Sequence, residues 1–287
     1  MQIEVATVNA FTQNNSGGNP AGVVLAADNL NTEQMQLIAT QMGLSETAFV
    51  SVSALADFEV RFFTPSDEVD FCGHATVAVF HLLYVQKILT PGSYSQLTKA
   101  GKLEVNIAAD GSVDMQQQLP TFLQRFQAEK IAPMLGISSS VITDTGLPVV
   151  AISTGLVDLM VPVRSGSLDS VIANQPLIAD FSRQHNLVGM HLFEFSAAKS
   201  LYSASCRNFA PAFAIDEESA TGSASGALAC YLATYHDCSA TDFIFEQGRK
   251  MGASSRLSAC IKRQEKAISS VRVGGQARFI DTVFIAP

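Results

Sequence analysis

Three polar residues of the sequence stand where they could carry chemistry. Glu46 begins an otherwise apolar stretch, His74 directly follows Gly73, and Ser223 directly follows Gly222. A carboxyl group in an apolar setting is easier to protonate, so it can take and return one proton near neutral pH. Glu46 is therefore a candidate proton carrier. The alternative is an ordinary solvent-facing acid at the end of a strand.

An internal repeat puts His74 and Ser223 in matching places. Arg61-Phe-Phe-Thr-Pro65 is followed by Gly73-His74-Ala75 and an apolar helical pattern. Arg207-Asn-Phe-Ala-Pro211 is followed by Gly222-Ser223-Ala224 and another such pattern, about half the chain later. The repeat predicts two similar halves that face each other across a cleft, with 1–120 as the first half, closed by C-terminal strands, and 121–287 as the second. The alternative is two unrelated strand–loop–helix connections.

Each half also places a glycine where a helix is predicted to begin. The first amides of a helix have no partner within the helix, and they carry the positive end of its dipole. The two helix starts, at Gly73 and Gly222, are therefore candidate sites for a carboxylate or another anion. The alternative is that these glycines only permit tight turns. Two further acids, Glu217 and Glu218, come just before the second helix.

The local patterns alternate between helix and strand without strict β-α-β order. Alternation from Ile3 to Phe11 predicts a strand, and Asn31 with Gln34 predicts a capped helix that ends at Gly43. Helical patterns run from Gly73 to about residue 87 and from Gly222 to about residue 235. This mixture favours an α+β fold with mixed sheets.

Three further assignments concern the middle and the end of the chain. Apolar spacing predicts a helix over Leu123–Leu135. Near the C-terminus, two separate strands are predicted, over Ser269–Val273 and Ala277–Ile285.

Composition excludes several classes of protein. The 287 residues are 47% apolar and 15% charged, with a net charge of −8. This balance is unlike that of a disordered chain, and without a Lys/Arg cluster it does not suit nucleic acid. The longest nearly apolar run, 75–85, is shorter than the roughly 20 residues that a membrane helix needs. Because the N-terminal residues also show no secretory signal pattern, we expect a cytoplasmic protein with no membrane partner.

Cysteine and histidine spacing gives no indication of a metal site. The five cysteines form no C-x-x-C pair, and the five histidines show no metal-ligand spacing. We therefore expect free thiols, no disulfide framework and no metal.

An ordered set of motifs resembles the PhzF-like phenazine-biosynthesis isomerase family, whose fold is related to that of diaminopimelate epimerase. The motifs run in family order over essentially the whole chain. They are Gly18-Asn19-Pro20-Ala21-Gly22-Val23, Ser45-Glu46-Thr47-Ala48-Phe49, Arg61-Phe62-Phe63-Thr64-Pro65, Phe71-Cys72-Gly73-His74-Ala75-Thr76, Thr154-Gly155, Arg207-x-Phe209-Ala210-Pro211, Ala220-Thr221-Gly222-Ser223-Ala224 and Glu246-Gln247-Gly248.

The resemblance implies two pseudo-symmetric diaminopimelate-epimerase-like halves, each a mixed β-sheet wrapped around a central helix. It also implies a homodimer that uses no cofactor and no metal. The family's proton-transferring glutamate matches Glu46, its histidine His74 and its serine Ser223. Asn19, Gly73 and Gly222 match substrate-binding positions.

The sequence departs from the family pattern at several of these places. The acid before Ala-Thr-Gly-Ser is usually Asp followed by Pro, and here it is Glu218 followed by Ser219. Asn9 replaces a common acidic residue, and 252–255 lack the usual arginine. These departures indicate a substrate other than the phenazine precursor.

The predicted function is isomerisation of a small, carboxylate-bearing metabolite by proton transfer through Glu46. His74 and Glu218 polarise the substrate or carry a second proton, and Ser223 with the amides of Gly73 and Gly222 holds the carboxylate. One alternative is an amino-acid racemase or epimerase that uses Glu46 and Cys72. Related epimerases use two opposed thiols, one in each half, and here Thr221 stands where the second thiol would be. The other alternative is a non-catalytic protein that binds small carboxylates.

Overall fold

A computed structural model describes residues 2–197 and 200–287. The chain divides into two compact units. The first contains residues 1–116 and 274–287, and the second contains residues 117–273. That the two halves share one cleft stays a prediction.

The elements of the chain follow in order. The first stretch contains β1 (Ile3–Thr12), β2 (Asn19–Val24), α1 (Thr32–Met42), β3 (Glu46–Ser51), β4 (Phe58–Phe63), β5 (Glu68–Val69), α2 (Gly73–Val85), β6 (Gly92–Thr98), β7 (Gly101–Ile107) and β8 (Val113–Gln117). The second contains β9 (Thr121–Phe126), α3 (Ala128–Ile131), α4 (Ser140–Thr143), β10 (Val149–Ser153), β11 (Val157–Pro162), α5 (Gln175–His185), β12 (Gly189–Phe195), β13 (Ala204–Ala210), β14 (Ile215–Glu218), α6 (Gly222–Tyr235), β15 (Asp242–Gln247), β16 (Ser255–Gln264) and β17 (Ala267–Ile285).

The strands of the two units pair in the same order and with the same parallel and antiparallel directions. In the first, β1–β2 is antiparallel, β2–β3 parallel, β3–β4 and β4–β5 antiparallel, β4–β6 parallel and β6–β7 antiparallel. In the second, the same sequence of directions runs through β10–β11, β11–β12, β12–β13, β13–β14, β13–β15 and β15–β16. The predicted repeat is therefore a repeat of topology as well as of motif.

Each unit has one helix that is buried nearly all round and one that covers the outer face of its sheet. In α2 every residue from His74 to Leu83 is buried, and α6 is buried over most of its length, as expected for helices that are apolar on all sides. The outer helices are α1 and α5. Ile38 of α1 joins a core cluster with Phe49 of β3, and Ile178 of α5 joins one with Leu192 of β12. The predicted α+β fold with a central helix in each half is confirmed.

The outer helices begin and end as their sequences predict. The Asn31 side chain accepts from the Gln34 N–H, and the Gln34 side chain accepts from the Asn31 N–H, at 2.9 and 3.1 Å. This is the predicted capping box. Gly43 ends α1 in the left-handed conformation, with a φ of 61°. In the second unit the Asn174 side chain caps α5 in a similar way.

Two assignments made from the sequence are wrong. The predicted helix over Leu123–Leu135 is a strand to Phe126, the short helix α3 and a 3-10 turn. The apolar residues of this segment fit both the helical period and the strand period. Pairing with β10 makes the first part a strand, and Pro133 interrupts a longer helix. The two strands predicted near the C-terminus are one continuous strand, β17. The segment 92–117, which has no predicted element, contains three antiparallel strands.

None of the helices among the described residues is long and apolar enough to span a membrane.

Candidate active site

Glu46 is the first residue of β3, and it pairs with Ala21 of the parallel strand β2. Its side chain is 13% exposed. The Oε2 atom is buried and has no hydrogen-bond partner among the described residues. Most buried carboxylate oxygens in proteins are satisfied by a donor. An unsatisfied one is therefore free to receive a proton.

His74 lies beside this carboxylate, in the first turn of α2. Its Nε2 atom is 3.3 Å from Glu46 Oε2 and 3.3 Å from the hydroxyl oxygen of Ser45. Its Nδ1 atom is 3.3 Å from the sulfur of Cys72. Burial lowers the pKa of His74, and the negative charge of Glu46 and a hydrogen bond to the Pro20 carbonyl offset part of that effect. The imidazole is therefore neutral at pH 7.

Cys72 is the residue before α2, and the structure brings it close to both candidate groups. Glu46, Cys72 and His74 each offer an atom of a type that binds metals, and these atoms lie within 4.8 Å of one another. The sulfur contacts one nitrogen of the imidazole ring, and the carboxylate contacts the other. This arrangement suits a line of polar groups better than ligands around one ion. The expectation of no metal stays a prediction.

Asn19 is buried at the start of β2, opposite Ala10 of β1. It stands two residues before Ala21, the strand partner of Glu46. The predicted residues Asn19, Glu46, Gly73 and His74 thus all belong to the first unit.

In the second unit, Gln247 holds the start of α6. Its side-chain oxygen accepts from the Thr221 N–H at 3.1 Å. Its amide group donates to the Thr221 hydroxyl at 3.0 Å and to the Glu218 carbonyl at 2.7 Å. Gly248 follows with a φ of 81°, and a Cβ atom there would lie 2.8 Å from the Ser219 carbonyl oxygen. Glycine is therefore needed for this close approach.

Two other buried side chains hold the first residues of α6. The amide of Gln117 donates to the Gly222 carbonyl at 3.0 Å. The hydroxyl of Thr154 lies 2.8 Å from the Gln117 side-chain oxygen and 3.1 Å from the Ser223 carbonyl. These contacts fix the backbone that carries Gly222 and Ser223, the two predicted substrate-binding residues of this unit.

The structure separates the two neighbouring acids Glu217 and Glu218. Glu217 accepts two hydrogen bonds from Arg207, each 2.8 Å long. Glu218 instead accepts a short hydrogen bond from the hydroxyl of Thr221, the residue before α6. Glu217 is thus held in an ion pair with Arg207, whereas Glu218 contacts the residue before α6; a catalytic role of Glu218 stays a prediction.

Equivalent contacts recur at the two helix starts. The Thr76 hydroxyl donates to the Cys72 carbonyl at 2.8 Å, and the Ser225 hydroxyl donates to the Thr221 carbonyl at 2.9 Å. The guanidinium of Arg61 makes a two-pronged bond to Glu68, as that of Arg207 does to Glu217. Cys72 therefore corresponds to Thr221, and His74 corresponds to Ser223. The scaffold is repeated, whereas the residues available for chemistry differ.

Three positioning residues, Gln117, Thr154 and Gln247, are not among those predicted from the sequence. Thr154 and Gln247 belong to motifs that carry the family resemblance, and that was their only signal. Gln117 lies in no such motif, and its two partners, Thr154 and Gly222, lie 37 and 105 residues away in the sequence.

Comparisons with known proteins agree with this architecture. The family model of phenazine biosynthesis-like proteins (PhzC-PhzF) matches residues 8–282. The chain is 35% identical to the uncharacterized isomerase YfhB of Bacillus subtilis (strain 168) over 269 residues, which cover 89% of each chain. A PhzF-family phenazine biosynthesis protein of Bacillus anthracis has a similar crystal structure, with a TM-score of 0.92, 29% identity and 100% coverage of both chains.

A more distant likeness concerns the fold alone. The hydroxyproline epimerase of Agrobacterium vitis has a TM-score of 0.66 at 9% identity, with 99% of this chain and 91% of that chain covered.

The repeated units, each with a buried central helix, define a protein of the epimerase-like fold class. Within that class, the chain belongs to the phenazine biosynthesis-like (PhzF) family, and it is an isomerase.

Proposed function

We propose that the protein isomerises a small, carboxylate-bearing metabolite, cyclic or open-chain, by moving one proton, with Glu46 as the proton carrier and no cofactor. One observation carries the proposal: the buried Oε2 atom of Glu46 has no hydrogen-bond partner among the described residues, while a neutral imidazole stands 3.3 Å away. A general base needs an oxygen that is free to receive a proton and is shielded from water.

The reaction keeps all atoms and electrons of the substrate. The carboxylate of Glu46 takes a proton from a carbon next to an unsaturated group, and the C–H electron pair moves into that group as a double-bond shift or an enolate. The resulting carboxylic acid then returns the proton to a different carbon or to the enolate oxygen. The enzyme ends as it began, and the substrate has become its isomer.

His74 supports this step as a neutral hydrogen-bonding group. Burial lowers its pKa, so an imidazolium does not neutralise Glu46 at pH 7. The ring is supported by Cys72 on one edge and by Ser45 on the other. A ring held in this way can orient the carboxylate and polarise a substrate oxygen.

Residues of both units enter the proposal. The amides of Gly73, at the start of the first unit's central helix, and those of Gly222 and Ser223 in the second unit bind the substrate carboxylate. Asn19 also contacts substrate. Glu218 is the second acid, because its neighbour Glu217 is already neutralised by Arg207. We expect Ser223→Ala to raise KM about tenfold, in line with the loss of one hydrogen bond to a charged group.

The relatives support the class of reaction, since YfhB carries the name isomerase. The family resemblance also supports a homodimer, which light scattering on the purified protein would test. The racemase alternative has one observation in its favour, the contact of Cys72 with His74. It would have to use Glu46 in place of the second thiol of the related epimerases, because Thr221 holds the place equivalent to Cys72.

An NMR screen in deuterated water tests the proposal. Small cyclic and amino carboxylates are incubated with the protein, and deuterium uptake at carbon is followed. We expect uptake by at least one compound, and a loss of about 100-fold or more in Glu46→Gln. The matched control is Glu33→Gln, an exposed glutamate in the first turn of α1.

Three results would count against the proposal. Unchanged exchange in Glu46→Gln would remove Glu46 as the base. Tight binding without any exchange would favour a binding protein, with Glu46→Gln altering affinity alone. Deuterium at the α-carbon of an amino acid, lost in Cys72→Ser, would favour a racemase.

A further inference from the structure

A row of polar side chains crosses the sheet of the second unit and ends at Glu218. The register pairs Met160 of β11 with His191 of β12, His191 with Asn208 of β13, and Asn208 with Glu218 of β14. Residues directly opposite each other on neighbouring strands share a face of the sheet. The side chains of His191, Asn208 and Glu218 therefore form one line, which we call the polar row.

The polar row lies on the face of the sheet away from α5. Leu159 and Leu192, which flank Met160 and His191 in sequence, belong to the core cluster that includes Ile178 of α5. Side chains alternate along a strand, so the neighbours of these two leucines point to the opposite face. Arg207 and Glu217, which form the buried ion pair, likewise alternate with Asn208 and Glu218.

The same four places in the first unit are apolar. There the register pairs Val23 of β2 with Ala48 of β3, Ala48 with Phe62 of β4, and Phe62 with Val69 of β5. Because the strands pair in the same order in both units, the fold itself does not require polar residues at these positions. The polar row is a property of the second unit alone.

Keeping His191 and Asn208 in these positions is costly for stability. His191 is 0% exposed and Asn208 is 1% exposed. Burying a polar group without full compensation lowers the stability of the folded chain. The Nε2 atom of His191 is buried and has no hydrogen-bond partner in the described parts of the chain. The first unit shows that apolar residues fit this place, so stability does not explain the polar row.

The contact between His191 and Asn208 fixes the orientation of both groups. His191 Nδ1 lies 3.1 Å from Asn208 Oδ1. Burial lowers the pKa of His191 to about 4, so the ring is neutral at pH 7. An amide oxygen can only accept, so the proton is on Nδ1 and the ring donates. The NH2 group of Asn208 is then directed away from His191.

We infer that Asn208, oriented by His191, is a positioning residue for the Glu218 carboxylate. Asn208 and Glu218 stand opposite each other on antiparallel strands, within reach of an amide-to-carboxylate contact. Thr221 already donates to Glu218 from the start of α6. A second donor from the sheet would hold the carboxylate from two directions. The inference rests on the proposed role of Glu218 as the second acid.

Few other titratable groups face the polar row. Asp158 of β11 shares its face of the sheet, since it alternates with Leu159, and neither of its oxygens has a hydrogen-bond partner among the described residues. Cys206 of β13 also shares this face, since it alternates with Arg207. Cys230 and Tyr231 are buried in α6, and the Tyr231 hydroxyl donates to the Pro148 carbonyl. None of these groups stands opposite Glu218.

The first test needs no substrate. Nitrogen NMR of the histidine rings in the intact protein should show His191 neutral, with its proton on Nδ1, at pH 7. Glu218→Gln should displace the His191 Nδ1 resonance through Asn208. The matched control is Glu217→Gln, because that carboxylate lies on the other face with Arg207, and it should leave the resonance in place. A His191 resonance that is the same in Glu218→Gln and in the wild type would overturn the inference.

The second test uses the exchange assay with a compound that the deuterium screen identifies. Asn208→Leu should lower kcat roughly 10–100-fold, as expected for a misplaced catalytic group, and leave KM nearly unchanged. His191→Gln keeps a donor toward Asn208 and should retain more activity than His191→Leu. The double variant His191→Ala with Asn208→Phe copies the first unit and should be stable but slow.

The outcomes separate this inference from the proposed function. If Glu218→Gln is fully active, the proposed role of Glu218 fails. If Glu218→Gln is slow but Asn208→Leu retains full kcat, only the positioning role of Asn208 fails. If the Asn208 variants do not fold, the NMR comparison of Glu218→Gln with Glu217→Gln decides the question.

Discussion

His74 Nε2 lies 3.3 Å from Glu46 Oε2, yet the two atoms are not aligned for a hydrogen bond. Because burial lowers the pKa of His74, the pair is a neutral ring beside a carboxylate rather than a salt bridge. A protonated His74 would compete with the substrate for Glu46. The structure therefore keeps the base free by keeping its neighbour uncharged.

We predict that His74→Asn lowers kcat about 10–1000-fold, because an oriented hydrogen-bonding group beside the base is lost. His81→Asn is a matched control, since His81 is also buried on α2 but contacts the Gly111 carbonyl. Deuterium exchange by NMR measures both variants. Equal rates in the wild type and His74→Asn would contradict this role.

The rate should also respond to pH. Burial moves the pKa of His74 below 6.5, so the ring stays neutral from pH 8 down through that value. We expect kcat/KM to hold steady between pH 8 and 6.5 and to fall only at lower pH, as His74 becomes protonated. A fall that is centred above pH 6.5 would show that another group controls the rate.

Cys72→Ser tests the racemase alternative. Serine keeps a polar atom beside His74 Nδ1, and in the isomerase mechanism the sulfur takes no proton. We therefore expect kcat to remain within about tenfold of the wild type. A loss similar to that of Glu46→Gln, in the same exchange assay, would make Cys72 a second proton carrier.

The repeated arginine–glutamate pairs give a matched comparison of stability. The Arg207 side chain is 7% exposed and also donates to the Leu168 and Val171 carbonyls, whereas that of Arg61 is 26% exposed. Removing one partner of a buried pair costs about 3–5 kcal/mol, and the cost decreases as the charged groups become more accessible to water.

We expect Arg207→Leu to lower the thermal midpoint clearly more than Arg61→Leu. Circular dichroism on both variants measures the difference. Equal decreases in the thermal midpoint would show that burial of the ion pair does not determine its contribution to stability.

Asp158 makes stability depend on pH. Burial raises the pKa of Asp158 from its ordinary value of 3.8 to about 7. Between these values the folded chain binds more protons at this site than the unfolded chain, so stability at this site decreases as the pH rises toward 7. Asp158→Asn removes this loss. We expect the difference in unfolding free energy between Asp158→Asn and the wild type to be about 2–3 kcal/mol larger, in favour of the variant, at pH 8 than at pH 5.

Denaturant unfolding at the two pH values measures this effect. Asp180→Asn is the control, because Asp180 is exposed on α5. A gain for Asp158→Asn that is the same at both pH values would contradict the assignment.

Much of the fold could be predicted because its signals are local. The Asn31 and Gln34 cap, the stop at Gly43 and the apolar helices after Gly73 and Gly222 each depend on neighbouring residues. The strand at Thr121–Phe126 could not be predicted, because its period fits a helix equally well and pairing with β10 decides between them. Helix starts can thus be identified locally, whereas strands depend on distant partners.

The candidate site also has features that could be predicted from the sequence and features that could not. The place of His74 beside Glu46 follows from the family motifs, and the geometry agrees with it. The separate environments of Glu217 and Glu218 follow from the alternation of one short strand, which the sequence analysis did not resolve. The polar row depends on register across four strands, and no local pattern indicates register of that kind.

The pairing of β1 with the end of β17 has a consequence for protein synthesis. Ile3 lies opposite Ile285, so the first strand of the first unit receives this partner only after residue 285 has left the ribosome. The second unit, residues 117–273, has no such delay. The later-made unit can therefore finish first, and a stop codon introduced between the codons of residues 273 and 285 would damage the unit that was translated earliest.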